Sequence, residues 1–320
     1  MDFTEGHLRG LIDGLRSLHD GDRVVGQLIG YGPAAIAALR DFLINGRPES
    51  TYQPRARAVE ALAGLGAVDA LIEFLNTPSR TLDPVVRFAE DAVENIAALE
   101  LASWHTEEVF TCLYGRLCKR PQRGVIEAIG AFRRPETGRF LIGALEDDVC
   151  RLAAIDALRP IASGLHDELA AAATLRLPGS SDERPSSLLR RRAVLSLLAE
   201  SPDEAGESSW ALPLLEEDDP EVVLRAAQII LHANPGCVSS LIARRLVAVL
   251  PRADWTLYED FERLLSSVHE AALPLLRDEL QARSRQAPPG FSLDPVAIMK
   301  RRVERRVANP GTVPELRQTK

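Results

Sequence analysis

The sequence predicts an all-α fold, specifically an α-solenoid: a right-handed superhelix of about eight helix pairs with a capping helix at each end. A short apolar helical phrase recurs about every 33 residues, which is a period typical of repeat arrays. Turns rich in Pro and Gly separate the phrases. Apolar residues make up 46% of the chain and aromatic residues only 5%, so the core must consist mostly of small aliphatic side chains, which suit closely stacked helices.

The repeat can be aligned on the middle residue of each apolar phrase: Gln27, Glu60, Glu94, Glu127, Asp156, Leu195, Gln228 and Glu262. Each period predicts two helices, and the predicted pairs span 22–45, 54–76, 84–119, 122–146, 148–176, 187–216, 220–250 and 254–283. Helices over about 5–19 and over 294–307 are expected to cap the two ends. We therefore expect one solenoid domain over 1–309 and a flexible tail over 310–320.

Turn signals mark the helix boundaries of the first pairs. Gly32-Pro33 divides the helices of the first pair. In the second pair, Pro54 opens a helix that Leu65-Gly66 ends, because glycine tolerates the left-handed backbone of a helix stop. The Asn-Thr-Pro-Ser segment 76–79 predicts the end of that pair.

Irregular segments interrupt the later pairs. A polar insertion, residues 177–187, lies between the fifth and sixth pairs. A long loop, residues 200–209, separates the helices of the sixth pair, and the segment 283–292 precedes the last helix. We expect the repeat to lose its regularity at these places.

Composition indicates a bacterial, cytoplasmic protein. Only Lys119, Lys300 and Lys320 are lysines among the 38 basic residues, which is typical of a GC-rich genome. The four cysteines have no CxxC spacing, as expected for buried thiols in a reducing compartment. The start of the sequence lacks the pattern of a signal peptide, and no stretch is long and apolar enough to predict a membrane span.

The Asp83-Pro84-Val85-Val86-Arg87 segment, followed by AEDAVENIAAL, resembles the HEAT repeat family, in particular the short HEAT-like units of the bilin-lyase type. Segments 219–222 and 148–151 match the same phrase in part, and the resemblance covers roughly 22–283. It implies a ladder of Asp–Arg pairs between neighbouring units, with Arg87 and Arg151 at the Arg position. The sixth pair departs from the phrase at 186–192. Members of this family act as scaffolds, lyases, hydroxylases and DNA-repair proteins, so the resemblance implies a fold rather than a function.

The sequence predicts no catalytic, cofactor or metal site. A di-iron hydroxylase of the HEAT-like type needs four His-Glu dipeptides, and this chain has only His269-Glu270, which reads as the solvated start of a helix. The chain contains no GxSxG, GxGxxG or P-loop motif. A Cys112–His105 pair is conceivable in the third repeat, but nothing in the sequence activates the thiol.

Basic and aromatic residues supply the candidate contact positions. The basic residues cluster near predicted repeat junctions, and the tryptophans fall near helix starts. The candidates are Arg116, Lys119, Arg120, Arg123, Arg139, Arg190, Arg191, Arg192, Trp104 and Trp210. The arginines could instead be ladder partners or solvated residues, and the tryptophans could fill gaps where the repeat loses register.

Two functions from different classes remain open. The first is a non-catalytic scaffold or adaptor that binds a partner protein on the solenoid surface, with the second helices forming the concave face. Outward positions on that face are Arg40, Glu73, Arg116, Arg139, Arg176, Arg244 and Arg277. The alternative is a nucleic-acid-binding or DNA-repair protein that uses the Arg clusters, although the net charge of −8 and pI of about 5.4 argue against it. The resemblance also implies a weaker third possibility, a chaperone for a chromophore.

Overall fold

The computed structural model describes residues 3–47, 49–77, 81–180, 182–200, 208–234, 239–284 and 294–309, and these form an all-α protein. The α-helices are α1 Phe3–Gly14, α2 Gly21–Tyr31, α3 Ile36–Ile44, α4 Gln53–Gly64, α5 Val68–Asn76, α6 Pro84–Leu101, α7 Glu107–Lys119, α8 Arg123–Gly130, α9 Gly138–Ala144, α10 Arg151–Leu158, α11 His166–Thr174, α12 Pro185–Glu200, α13 Pro220–Ala233, α14 Ser239–Val249, α15 Tyr258–Ser267, α16 His269–Ser284 and α17 Pro295–Ala308. Within these ranges there is no strand, so the all-α prediction is confirmed. No helix in the same ranges has both the length and the hydropathy to cross a bilayer.

Several predicted helical segments contain 3₁₀-helix. The second helix of the sixth pair is a 3₁₀-helix, Ser209–Glu216, with Pro213 inside it, since proline lacks the N–H that an α-helix interior requires. The first pair has a 3₁₀ turn at Gly32–Ala35, and Arg159–Leu165 is 3₁₀ within the fifth pair, predicted over 148–176. The expected flexible tail at 310–320 and most of the loop 200–209 lie outside the described residues.

Contacts divide the chain into two compact units, Met1–Ile161 and Ala162–Lys320. In the first unit, α2 packs on α4, α4 on α6, α6 on α8, and α8 on α10. The second helices form another series, in which α3 contacts α5 and α5 contacts α7. The core between the two series is aliphatic, with Leu62, Val93 and Ile126 among its fully buried side chains.

The second unit is built in the same manner. Helix α12 packs on α13, α13 on α15, and α15 on α17, while α14 packs on α16. Its core contains Leu195, Val223, Leu246, Phe261 and Met299, all fully buried.

Three helices begin with the same Asp-Pro pair. The carboxylate of Asp83 accepts a hydrogen bond from the Val85 N–H at 2.8 Å, and that of Asp294 accepts one from Val296 at 2.8 Å. Asp219 accepts from Val222 at 3.0 Å. The Asp side chain satisfies an N–H that has no partner within the helix, and proline at the first helical position needs none. Helix α17, which was expected to be a terminal cap, therefore has the same Asp-Pro start as α6 and α13, the first helices of the third and seventh pairs.

Candidate partner-binding surface

A ridge of exposed apolar side chains lies at the start of α6. Leu82 is 100% exposed, Val85 61% and Phe88 75%. The spacing of three residues keeps Val85 and Phe88 on one side of the helix. A contiguous exposed apolar surface, unlike single exposed residues, typically marks a contact site.

Local structure does not account for this exposure. Leu82 occupies the position before the Asp83 N-cap, where an apolar residue often packs against the fourth helical residue. That residue is Arg87, and Leu82 buries no surface. The face of α6 that packs into the core is made instead by Ala89, Val93 and neighbouring residues.

A basic strip of three residues lies beside this ridge, between α7 and α8. It consists of Lys119, Arg120 and Arg123, all exposed. Arg120 donates two hydrogen bonds of 2.7 Å to the carboxylate of Asp91, which lies one turn after Phe88 on α6. Arg120 therefore ties the basic strip to the apolar ridge.

A second pair of exposed apolar residues, Val149 and Leu152, lies at the start of α10. Arg120 lies close enough to Cys150, which stands between Val149 and Leu152 in the sequence, to interact with it electrostatically. Burial and Asp147 raise the pKa of the Cys150 thiol to about 11, and the charge of Arg120 opposes that rise. The ridge, the basic strip and this pair together form what we call the α6–α10 edge; its residues are Leu82, Val85, Phe88, Lys119, Arg120, Arg123, Val149 and Leu152.

Arg116 lies beneath this edge rather than on it. It forms an ion pair with the buried carboxylate of Glu94, and the side-chain amide of Gln122 donates to the same carboxylate at 3.1 Å. This network joins α7 to α6 and to the residue before α8. The side chain of Arg116 thus stabilises the packing of α7 against α6.

Arg139 lies beside an aromatic cluster that was not predicted from the sequence. Phe110, Phe132, Tyr114 and Phe140 form successive ring contacts at 5.4–5.7 Å between centroids. The exposed guanidinium of Arg139 lies 4.4 Å from the Phe140 ring centroid, a favourable cation–π distance. Trp104 is half-buried just after α6. The Phe110–Tyr114 spacing of four residues on α7 was the available signal.

In the second unit, Arg190 and Arg191 are in the interior. Arg190 donates to the carbonyl of Leu175 at 2.6 Å. Arg191 is fully buried; it donates to the carbonyl of Ala173 at 2.7 Å and pairs with Glu183 and Glu217. A buried guanidinium needs such partners, because an unpaired charge in the interior is strongly unfavourable.

The remaining candidates of the second unit are partly buried. Arg192 pairs with Asp219 and lies 3.5 Å from Glu221. Trp210 lies in the 3₁₀-helix of the sixth pair, and its ring is edge-on to His166 at 6.4 Å between centroids. Trp255, by contrast, is 79% exposed.

The two arginines expected to form a ladder, Arg87 and Arg151, form ion pairs close to their own positions in the chain. Arg87 pairs with Asp91 of its own helix at 3.1 Å, and Arg151 with Asp148 of the preceding turn at 2.5 Å. Both ion pairs are local, which differs from the predicted pairing with an Asp of the neighbouring helix pair. Arg151 contacts the preceding pair differently, because its Nε donates a hydrogen bond to the carbonyl of Leu145 at 2.8 Å. Pairs between helices are made by Arg57 with Asp22 at 2.9 Å, Arg120 with Asp91, and Arg225 with Asp260 at 2.7 Å.

An open pocket of about 530 Å³ lies between α1 and α3. Ala37 and Ala38 of α3 form part of its lining, and Asp41 accepts a hydrogen bond from Asn45 at 2.9 Å. The lining residues are Leu8, Arg9, Ile12, Ala34, Ala37, Ala38, Asp41, Phe42, Asn45 and Gly46. The pocket thus combines apolar side chains with the polar side chains of Arg9, Asp41 and Asn45.

These features define an all-α protein whose exposed α6–α10 edge combines apolar and cationic side chains. Comparison with protein-family models, with curated proteins and with solved structures found no match to the chain.

Proposed function

We propose that the protein is a non-catalytic scaffold that binds a partner protein through the α6–α10 edge. The observation that carries the proposal is the ridge of Leu82, Val85 and Phe88, three apolar side chains that are all exposed within seven residues at the start of α6. Burying this ridge against a partner would remove it from water, the main favourable contribution to most protein association. Thiol and Lys/Arg usage support a bacterial, cytoplasmic setting.

The proposed architecture is an α-solenoid of HEAT-like helix pairs. Its support is the two series of helices in the first unit, α2 to α10 and α3 to α7, since successive packing of equivalent helices is typical of such arrays. A compact 320-residue domain has a radius of gyration of about 20 Å. We expect small-angle scattering to give a clearly larger value; a radius near 20 Å would contradict the solenoid.

Site-specific crosslinking tests the binding surface. A photoreactive phenylalanine analogue at position 88, expressed in the native host, is expected to capture one partner. The matched control is the same analogue at Leu18, which is equally exposed but outside the α6–α10 edge. Recovery of the same species from both positions, or of none from position 88, would remove the proposal.

The nucleic-acid alternative has less support. It depends on exposed guanidinium groups, and the side chains of Arg116, Arg191 and Arg192 are mostly or fully buried in ion pairs, which leaves Arg120 and Arg123 among the exposed arginines of these clusters. We expect no binding to duplex DNA at about 0.15 M salt, where non-specific affinity is already weak. Tight binding that is lost on replacing Arg120 and Arg123 with Glu would favour this alternative instead.

A further inference from the structure

The proposed function leaves open what kind of partner the α6–α10 edge accepts, and this inference rests on that function. We propose that the edge binds an amphipathic helix that carries carboxylates beside its apolar side chains. The apolar side chains contact the α6 ridge, and the carboxylates contact the basic strip of Lys119, Arg120 and Arg123.

The basic strip presents positive charge to solvent, because in each of its ion pairs the arginine is more exposed than its carboxylate partner. The side chain of Arg120 is 49% exposed and that of its partner Asp91 18%. The side chain of Arg123 is 66% exposed and that of its partner Glu127 34%. The cations therefore lie outermost, although each has a carboxylate nearby. Lys119 is exposed and has no carboxylate within ion-pair distance in the described ranges. At the basic strip an approaching partner therefore meets these cations first, which favours carboxylates opposite the strip, whereas the exposed Asp83 and Asp148 lie beside the apolar residues of the same edge.

The helical form of the partner follows from the elements that build the edge. An extended peptide commonly binds by adding a strand to a sheet edge. The described residues contain no strand, so they offer no sheet edge for strand addition. A helix satisfies its backbone hydrogen bonds internally and can present an apolar stripe to the ridge.

Helix spacing sets the pattern of the partner. Neighbouring packed helices such as α6 and α8 lie about 8–10 Å apart, and an α-helix rises about 1.5 Å per residue. Its apolar anchors and its carboxylates should therefore be about two turns apart on one face. The spacing does not determine the direction in which the partner helix runs, but it requires the apolar side chains and the carboxylates to lie on the same face of that helix.

A designed peptide tests the pattern. The probe is a fluorescent helical peptide of about sixteen residues with Leu and Phe on one stripe and Glu about two turns further along it. Anisotropy titration with the full chain is expected to show saturable binding that weakens as NaCl rises from about 0.05 to 0.5 M. Phe88→Asp and the double variant Lys119→Glu/Arg123→Glu should each weaken binding by about tenfold or more.

Three controls make the outcome decisive. Leu18→Asp, an exposed position outside the edge, should leave binding unchanged. A peptide with Lys in place of Glu should bind more weakly. Circular dichroism should show that all variants remain helical, since the replaced side chains are exposed.

Several results would overturn the inference. These are the absence of peptide binding, equal binding of the Lys peptide, or insensitivity to Phe88→Asp. Preferential binding of duplex DNA or of anionic phospholipid vesicles through the same residues would also overturn it. A partner crosslinked at position 88 that is not an acidic helix would refute only the partner class and leave the scaffold function standing.

Discussion

The guanidinium of Arg191 forms an ion pair with the carboxylate of Glu217 in the interior of the second unit. Arg191 comes from the first helix of the sixth pair, and Glu217 follows the 3₁₀-helix of the same pair. Glu183, from the polar insertion, provides a second carboxylate at 2.7 Å, and Ser187 donates to Glu183 at 2.6 Å. The insertion is therefore part of the fold, because it supplies one of the charges that make burial of Arg191 possible.

Replacing Arg191 should strongly destabilise the protein. Arg191→Met leaves the carboxylate of Glu217 without its ion-pair partner and that of Glu183 with only Arg176, at 3.6 Å, and removing one partner of a buried pair typically costs about 3–5 kcal/mol. Urea denaturation followed by circular dichroism measures the loss. Arg123→Met is the matched control, because Arg123 pairs on the surface and should change stability by less than about 1 kcal/mol. Equal losses of stability for the two substitutions would contradict a stabilising role for the buried ion pairs of Arg191.

The Arg55–Glu90 pair allows a double-mutant cycle. Both side chains are buried, and Arg55 also donates to the carbonyl of Leu43 near the end of α3. Arg55→Met and Glu90→Leu should each cost about 3–5 kcal/mol, because each leaves an unpaired buried charge. The double variant should be more stable than either single variant, since no charge then remains to be paired. Additive losses in the double variant would contradict the ion pair.

The exposed ridge should contribute little to folding. Phe88→Ala is expected to change the free energy of unfolding by less than about 0.5 kcal/mol, since the ring is largely exposed. Phe261→Ala, at a fully buried ring of the second unit, should cost about 3–5 kcal/mol. Thermal and urea unfolding of the two variants provide the comparison. A large loss for Phe88→Ala would mean that this ring packs within the fold and is not available to a partner.

The cysteines should differ in reactivity. Burial raises the pKa of the Cys112 thiol to about 11, and that of Cys150 is also about 11, whereas Cys118 is exposed. At pH 8 only about one thiol in a thousand is ionised at such a pKa, so Cys112 and Cys150 should react slowly with a disulfide reagent.

The measurement uses a Cys237→Ser background, because Cys237 lies outside the described residues. One thiol should react rapidly and two only after denaturation. A Cys118→Ser variant should lose the rapid phase. Rapid reaction of more than one thiol in the folded protein would place Cys112 or Cys150 at the surface.

Glu221 should make the protein less stable as pH rises. Burial raises the pKa of this carboxyl, against the opposing charges of Arg192 and Arg225. The folded protein therefore holds the proton to higher pH than the unfolded chain, so stability falls as pH rises from the ordinary value of about 4.3 through the raised one. Glu221→Gln mimics the protonated group and should be more stable than the wild type at pH 7. The difference should vanish below about pH 4; a variant that is less stable at pH 7 would contradict the raised pKa.

Helix starts are the part of the fold that could be predicted most reliably from sequence. Asp83-Pro84 and Asp219-Pro220 act within a few residues, because the Asp side chain bonds to the next N–H groups of the same chain. The same local logic failed where a proline fell inside a helix, since the segment 209–216 became 3₁₀ around Pro213. Local chemistry therefore predicts where a helix begins better than which helix type follows.

The candidate surface could be predicted only in part. Lys119, Arg120 and Arg123 were expected from the basic cluster, but Leu82, Val85 and Phe88 were not, because apolar residues at a helix start normally indicate core. Arg190 and Arg191 looked like surface charges and lie in the interior. The sequence gives the charge of a side chain, but it does not show which carboxylates of other elements lie next to that side chain in the folded protein.

By itself, the sequence determined the all-α class, the alternation of apolar phrases with turns, and the Asp-Pro helix starts, since these depend on interactions within a few residues. The tertiary structure decided which charges are buried and which apolar residues stay exposed. Arg191 and Arg120 illustrate the difference: both are arginines near predicted junctions, yet one is enclosed by Glu183 and Glu217 and the other lies over Asp91 at the surface. The physical reason is that burial and pairing depend on atoms distant in sequence, which only the packing of helices brings together.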